Sequence, residues 1–272
     1  MNLENYFISQ VKNSHIGDDG ALIKNYVYST DAFFENIHFK TDWMNYYQIA
    51  QKAMMVNISD AIAMNAKPLY ALLSVAMPKS ITKTQIQKLT KGFKETAKRY
   101  DIEIIGGDTI SNLKLDINVT IISKTKHPLK RVGLKKDFLV AYTGKLGNSK
   151  KDLQKLMNLG KIHKNSKFVN IDLREDFIKK TERFLSSGMD ISDGLFSDLG
   201  KLADSNQIGF KFHNRILKEV GCSGEEYEML IAFNKRDRKA ILRRAVQTRT
   251  KLNIFATTIR AKYTNRCKAH HF

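Results

Sequence analysis

The side chains in this 272-residue sequence with most chemistry to offer are acids set beside glycines and hydroxyls. In Met189-Asp190-Ile191-Ser192-Asp193-Gly194-Leu195 two carboxylates flank a hydroxyl, and Met189, Ile191 and Leu195 alternate as in a half-buried strand. Gly194 then lets the chain turn towards a helix, so Asp190 and Asp193 belong at a strand end, where α/β proteins bind ligands. Taken alone, a helix cap at Ser192 or Asp193 accounts for the segment.

The pattern recurs. Gly17-Asp18-Asp19-Gly20 is on its own an ordinary turn. Ser29-Thr30-Asp31 follows the strand-like Tyr26-Val27-Tyr28, and Gly106-Gly107-Asp108-Thr109 follows Ile102-Glu103-Ile104-Ile105. Both read as strand ends carrying a carboxylate and a hydroxyl. Asp60 lies in a helical run, 45–65, with no other charge between Ala53 and Met64. An ionised carboxylate there needs a cation or good hydrogen bonds. Alternatively, Asn57-Ile58-Ser59-Asp60 breaks the run and caps a second helix. Hard oxygen ligands in several short turns suit Mg²⁺ shared with substrate phosphates, and zinc-type His/Cys spacing is absent. Phosphoryl transfer needs positioning and charge neutralisation more than covalent help. The residues alone therefore point to a metal-assisted phosphate enzyme without naming a substrate. Gly144-Lys145-Leu146-Gly147-Asn148-Ser149 faintly resembles a phosphate loop but lacks Walker spacing.

The elements that must position these acids alternate between strand and helix. Residues 69–77 form an apolar strand, and 81–100 a lysine-rich amphipathic helix with Ile86, Leu89, Phe93 and Ala97 inward. Residues 115–122 and 138–143 are further strands, 161–186 are polar and helical, and 209–212 are a short strand. A basic junction at 124–131 places a domain boundary, giving residues 1–130 and 131–272. The net charge is +19, of which the segment from Lys235 to Phe272 carries +11. Such a tail is a solvated helix face with attraction for small anions, or, as the lesser reading, a nucleic-acid-binding element. No signal-peptide pattern or membrane-length apolar run is visible, and Cys222 and Cys267 are expected as free thiols. A cytoplasmic protein is expected.

The ordered set Ile16-Gly17-Asp18-Asp19, Ser29-Thr30-Asp31, His38-Phe39, Asn57-Ile58-Ser59-Asp60-Ala61 with Ala63-Met64, Gly106-Gly107-Asp108-Thr109, Asp190-Ile191-Ser192-Asp193-Gly194-Leu195 and Gly224-Glu225-Glu226-Tyr227-Glu228 resembles thiamine-monophosphate kinases. The resemblance runs from about residue 16 to 230. It implies an α/β, two-domain fold like that of aminoimidazole ribonucleotide synthetase. The N-terminal ATP/Mg-binding domain would pair its sheet across a homodimer, beside a C-terminal α/β domain. It implies ATP-dependent phosphorylation of thiamine monophosphate to thiamine diphosphate by direct in-line transfer. Related enzymes of the same fold with another acceptor are the alternative.

By the same resemblance Asp19, Ser29, Thr30, Asp31, Asp60, Asp108, Asp190 and Asp193 would hold several Mg²⁺ ions. Gly107, Asp108, Arg131 and Ser192 would contact ATP, and His38, Glu225 and Phe272 the thiamine monophosphate. Arg131 also makes independent sense as a phosphate clamp. Glu226 stands where the family commonly has Asp.

Overall fold

The computed structural model describes residues 3–268. Helix α1 (Leu3–Val11) precedes β1 (Ala21–Ile23), β2 (Tyr26–Phe34), α2 (Tyr46–Ala63), β3 (Lys67–Pro78), α3 (Lys83–Arg99), β4 (Glu103–Asn112) and β5 (Asp116–Lys124). The remainder comprises β6 (Leu139–Thr143), α4 (Asn148–Met157), α5 (Glu175–Thr181), β7 (Leu185–Asp190), α6 (Leu195–Asn206), β8 (Gly209–Phe212), α7 (Lys218–Gly221), β9 (Met229–Phe233), α8 (Arg238–Gln247) and β10 (Leu252–Ile259). The strands form two sheets, ordered β1-β2-β5-β3-β4 and β7-β9-β6-β10-β8. All pairings are antiparallel except β3 with β4, which the α3 crossover connects in parallel. The architecture is mixed α/β, as expected.

Helix α2 is the centre of the molecule. Asn45 accepts from the Gln48 N–H at 3.0 Å while Gln48 Oε1 accepts from the Asn45 N–H, a capping box that starts the helix sharply. Once started, it runs unbroken to Ala63, so the alternative of a break at Asn57–Asp60 is not realised. It is apolar nearly all round because both sides are covered. Phe33, Ile117, Val119 and Ile121 of the first sheet and Ile231 and Phe233 of the second share one core with Ile49, Ala53 and Ile58. On β9, Met229, Ile231 and Phe233 join this core while Leu230 and Ala232 join a second one with Leu195, Leu199 and Phe255. A strand buried on both faces reads as the continuous apolar run Met229–Phe233.

Helices α2 and α3 approach closely at Gly92, whose missing Cβ leaves room for the Tyr47 carbonyl and the Ala50 methyl group. Gly92→Ala must push the helices apart and is expected to lower stability by about 1–3 kcal/mol. A urea midpoint equal to that of the parent would refute this.

Three expectations are corrected. Asp31 and Asp108 lie within strands, not at their ends, because β2 pairs with β5 as far as Phe34 and β4 pairs with β3 as far as Asn112. Residues 161–186 are mostly irregular, with helix only at α5 and the short turn after it. In the basic segment from Lys235, α8 keeps Arg238, Lys239 and Arg243 exposed while Ile241 packs into the core, and the chain then continues as β10, paired on both sides with β6 and β8. Beyond β10 the chain returns across α6, where the Tyr263 hydroxyl donates to the Phe196 carbonyl at 2.9 Å. That return brings Cys267 to Cys222 in a disulfide, so neither is the expected free thiol. The contact spans 45 residues of sequence, a proximity that spacing does not reveal. Among the described residues no helix is long and apolar enough to cross a membrane.

Candidate active site

Four acids from four separate elements meet where α2 passes between the sheets. Asp31 comes from β2, on the pleat face that also carries Val27, Ser29 and Phe33. Asp60 comes from the last turn of α2, Asp190 from the end of β7, and Asp19 from the turn before β1. Each perceives its neighbours. Burial raises the Asp60 carboxyl well above its ordinary value, and Asp31, Asp190 and Asp19 add to the rise. Asp190 is raised in the same way, first by burial and then by Asp19. Burial also raises Asp19 and Asp31. Asp31 shares a hydrogen bond with Asp60, which opposes the rise at Asp31.

The protein offers limited compensation. Arg131, from the junction between the sheets, binds Asp19 through its guanidinium, with Nε at 3.1 Å, and its backbone N–H donates to Asp18 at 2.8 Å. The Ser59 hydroxyl donates to Asp190 at 2.6 Å. Lys201 bridges Asp193 at 2.7 Å and the buried Asp198 at 2.8 Å. Burial lifts Asp198 to about 6 despite that lysine. Asp18 and Ser59 lie inside the motifs but carry no expected site role, while Lys201 and Asp198 lie outside them. Ser59 had a signal, since it precedes Asp60 on the same buried helix; Lys201 falls two turns into α6 and had none.

Glu225 and Tyr227 both have positive φ, 53° and 50°, a conformation that costs a non-glycine residue on the order of 1 kcal/mol. The strain is held by backbone bonds to the Asp190 loop, with the Glu225 N–H donating to Ser192 O at 2.7 Å and the Tyr227 N–H to Ile191 O at 2.9 Å. Tyr227 is thereby brought beside the acids. Burial lifts its hydroxyl well above the ordinary range, and Glu225, Asp31 and Asp190 reinforce the effect. Glu225 itself binds the Lys52 ammonium at 2.8 Å, and that ammonium lies 3.8 Å from the Phe168 ring centroid and 5.8 Å from that of Phe33. His38 stacks on Phe33 at 5.7 Å and its Nδ1 accepts from the Phe34 N–H at 3.0 Å, which leaves the proton on Nε2. His38 and Glu225 therefore border one aromatic and lysine group.

The remaining expected residues are placed differently. Ser29 is buried and donates to the Asn57 carbonyl at 3.3 Å. Thr30 faces the other side of the sheet, bonding Asn118 at 2.9 Å. Asp108 is in register with Ser74 and Asn118 on that same outer side, where it accepts from the Thr109 N–H at 2.8 Å. Gly107, with φ 147°, lies so close to Leu73 that a Cβ would strike its carbonyl. Arg131 is engaged with Asp19, and Ser192 lies in the turn after β7. Phe272 lies outside the described residues.

Among the described residues no three His, Cys, Asp or Glu side chains are arranged to hold one metal ion. The donor set nonetheless fits Mg²⁺, which takes one or two carboxylates together with substrate phosphates and water. The acids are all oxygen donors, largely desolvated, and mutually repulsive beyond what Arg131 and Lys201 relieve.

Residues 17–125 match the family described as "AIR synthase related protein, N-terminal domain". The chain is 31% identical over 264 residues to the thiamine-monophosphate kinase of Buchnera aphidicola subsp. Schizaphis graminum, covering 86% of this chain and 80% of that protein. It belongs to the thiamine-monophosphate kinase family. The Nitrosopumilus maritimus thiamine-monophosphate kinase is 28% identical over 267 residues, or 88% of this chain and 83% of that one. Among solved structures, "AaThiL complexed with AMPPCP and TMP" superposes with a TM-score of 0.85 at 21% identity, covering 96% of this chain and 91% of the other. A hydrogenase maturation protein, HypE from E. coli, shares the fold at a TM-score of 0.71 and 14% identity, covering 96% and 91%. The thiamine-monophosphate kinase motifs that carried the sequence resemblance thus converge, in part, on one cluster.

Proposed function

We propose that this chain transfers the γ-phosphoryl group of ATP to the phosphate of thiamine monophosphate, forming thiamine diphosphate and ADP. The observation that carries the proposal is the meeting of Asp19, Asp31, Asp60 and Asp190 in a member of this kinase family. A phosphate oxygen of the acceptor attacks the γ-phosphorus in line, and the bond to the ADP bridging oxygen breaks. Both reactants are anionic, so the charge between them must be neutralised. Bound Mg²⁺ would supply that neutralisation and a template for the phosphates.

In this proposal Asp60, Asp31 and Asp190 would hold the metal, and Asp19, bound by Arg131, would be available to it were Arg131 to bind phosphate. Asp193, which binds Lys201 at 2.7 Å, would join them as a metal ligand on the family resemblance. Ser29, Thr30 and Asp108 as metal ligands, and Gly107, Asp108 and Ser192 as ATP contacts, are retained on the family resemblance. Ser59 orients Asp190, and no general base is needed because the acceptor phosphate is already ionised. His38 and Glu225 receive the thiamine monophosphate.

We also propose that residues 1–130 form the ATP/Mg-binding and dimerisation domain and 131–272 the C-terminal domain. Exposed Ile105 and Ile110 on the edge strand β4, with Tyr28 and Tyr70 on the same sheet, support pairing across a homodimer. The reaction's dependence on ATP supports a cytoplasmic setting.

Purified protein incubated with ATP, Mg²⁺ and thiamine monophosphate should yield thiamine diphosphate by chromatography, and none when Mg²⁺ is chelated. Absence of product with folded, ATP-binding protein would overturn the choice of acceptor. Glu225→Ala is expected to raise KM for thiamine monophosphate about tenfold or more while leaving KM for ATP within about twofold. An equal rise in both would remove Glu225 from the acceptor site.

A further inference from the structure

A cavity of about 610 Å³ opens in the second half of the chain, and none of the residues given above to metal, ATP or acceptor lines it. Its walls come from the α3 end, the loop before α4, the segment between α4 and α5, and the turn into β10. They bring together Arg99, Lys145, Lys167, Arg174, Arg249 and Lys251 against two acids, Asp172 and Glu228. We propose that this cavity binds a small di- or triphosphate without a metal ion.

The two acids are already taken. Glu228 is buried and accepts from Lys167 at 2.9 Å and from Arg174 at 2.7 and 2.8 Å, while Asp172 accepts from Arg174 at 2.6 Å. These bonds hold the Glu228 carboxyl below its usual range even though burial opposes it. Among the described residues, no carboxylate lies within ion-pair distance of Arg99, Lys145, Arg249 or Lys251. Four cations thus line one concavity without a carboxylate at ion-pair distance, beside an Asp172 that already binds Arg174. Such a concave field concentrates small anions.

The lining adds directed donors in Asn148, Asn165 and Asn170. Gly144 adopts φ 64°, and a Cβ there would strike the Glu228 carboxylate, so only glycine lets the loop lie on that group. The loop Gly144–Ser149, which lacks Walker spacing, is in this way laid over the cavity with Lys145 and Asn148 lining it. The volume falls within the range of small-molecule sites, about 300–1,000 Å³. No aromatic ring lines it, so it lacks the stacking platform of a single-strand nucleic-acid site.

The carboxylate cluster would meet polyphosphate only with metal, and this separates the two sites. Calorimetry with inorganic tripolyphosphate and the full chain in EDTA is expected to show one equivalent bound. Lys145→Ala/Lys251→Ala should weaken it by about tenfold or more. Lys88→Ala/Lys91→Ala, on exposed α3 positions outside the cavity, should change it by no more than about twofold. Lysines 145 and 251 are exposed, so folding survives their loss, and Lys251→Arg should retain binding. The proposal fails if no binding occurs in EDTA, or if both double variants weaken it alike. It also fails if a single-stranded oligonucleotide binds more tightly and is lost with the same variant.

Discussion

Asp60→Asn is expected to reduce phosphoryl transfer by at least about 10²–10³-fold, equivalent to roughly 3–4 kcal/mol in the barrier. The substitution keeps the side chain's shape and removes one charge from the place where the carboxylates crowd most. Asp60 is the acid whose rise draws on all of Asp31, Asp190 and Asp19, so it is the one that a bound cation would relieve most. Two readouts should therefore move in opposite directions. Turnover falls because a ligand is lost, while the metal-free thermal midpoint holds or rises because a repelled, desolvated charge is gone. Mg²⁺ with ATP should stabilise the variant less than the parent. Full turnover in the variant would remove Asp60 from the metal site. Lost turnover with a lowered metal-free midpoint would instead mark it as a structural group.

The second large effect is a dependence of stability on pH that a bound metal should suppress. A carboxyl raised by folding holds its proton more tightly when folded than when unfolded. Its contribution is fully present below the ordinary value of 3.8 and is lost as pH rises through the folded value. Asp198, lifted from 3.8 to about 6, accounts for about 3 kcal/mol of such loss by itself. Asp60, Asp190, Asp31 and Asp19 shift in the same direction. Lys201 stays charged throughout, because Asp198 and Asp193 outweigh its burial and raise it. The metal-free protein is thus expected to lose stability between about pH 4 and above pH 6, and the gain from Mg²⁺ with ATP should grow over the same interval as metal replaces protons. Thermal unfolding across that range, with and without both ligands, checks the sign. A midpoint that rises with pH in the metal-free protein would contradict it.

What the sequence determined by itself was the inventory and its order. Asp19, Asp31, Asp60 and Asp190 stand out because each sits among glycines, hydroxyls or apolar residues that do not explain a carboxylate. The apolar periodicity of α3 and the apolar run of β3 are local, so those elements are legible from neighbouring residues. Convergence is not local. Asp60 reaches Asp190 only because α2 is buried between two sheets, and Ser59 then bonds a residue 131 positions away. Whether Asp31 and Asp108 face the same side depends on pleat and register, and these put Asp31 inward and Asp108 outward. The pairing of Cys222 with Cys267, the two-sided burial of β9 and the insertion of β10 between β6 and β8 were likewise tertiary decisions. Each required the chain to return over tens of residues, and only the whole packed fold fixes where it returns. Residue type records what chemistry is available; long-range packing decides which groups share one desolvated place, and so which of them can act together.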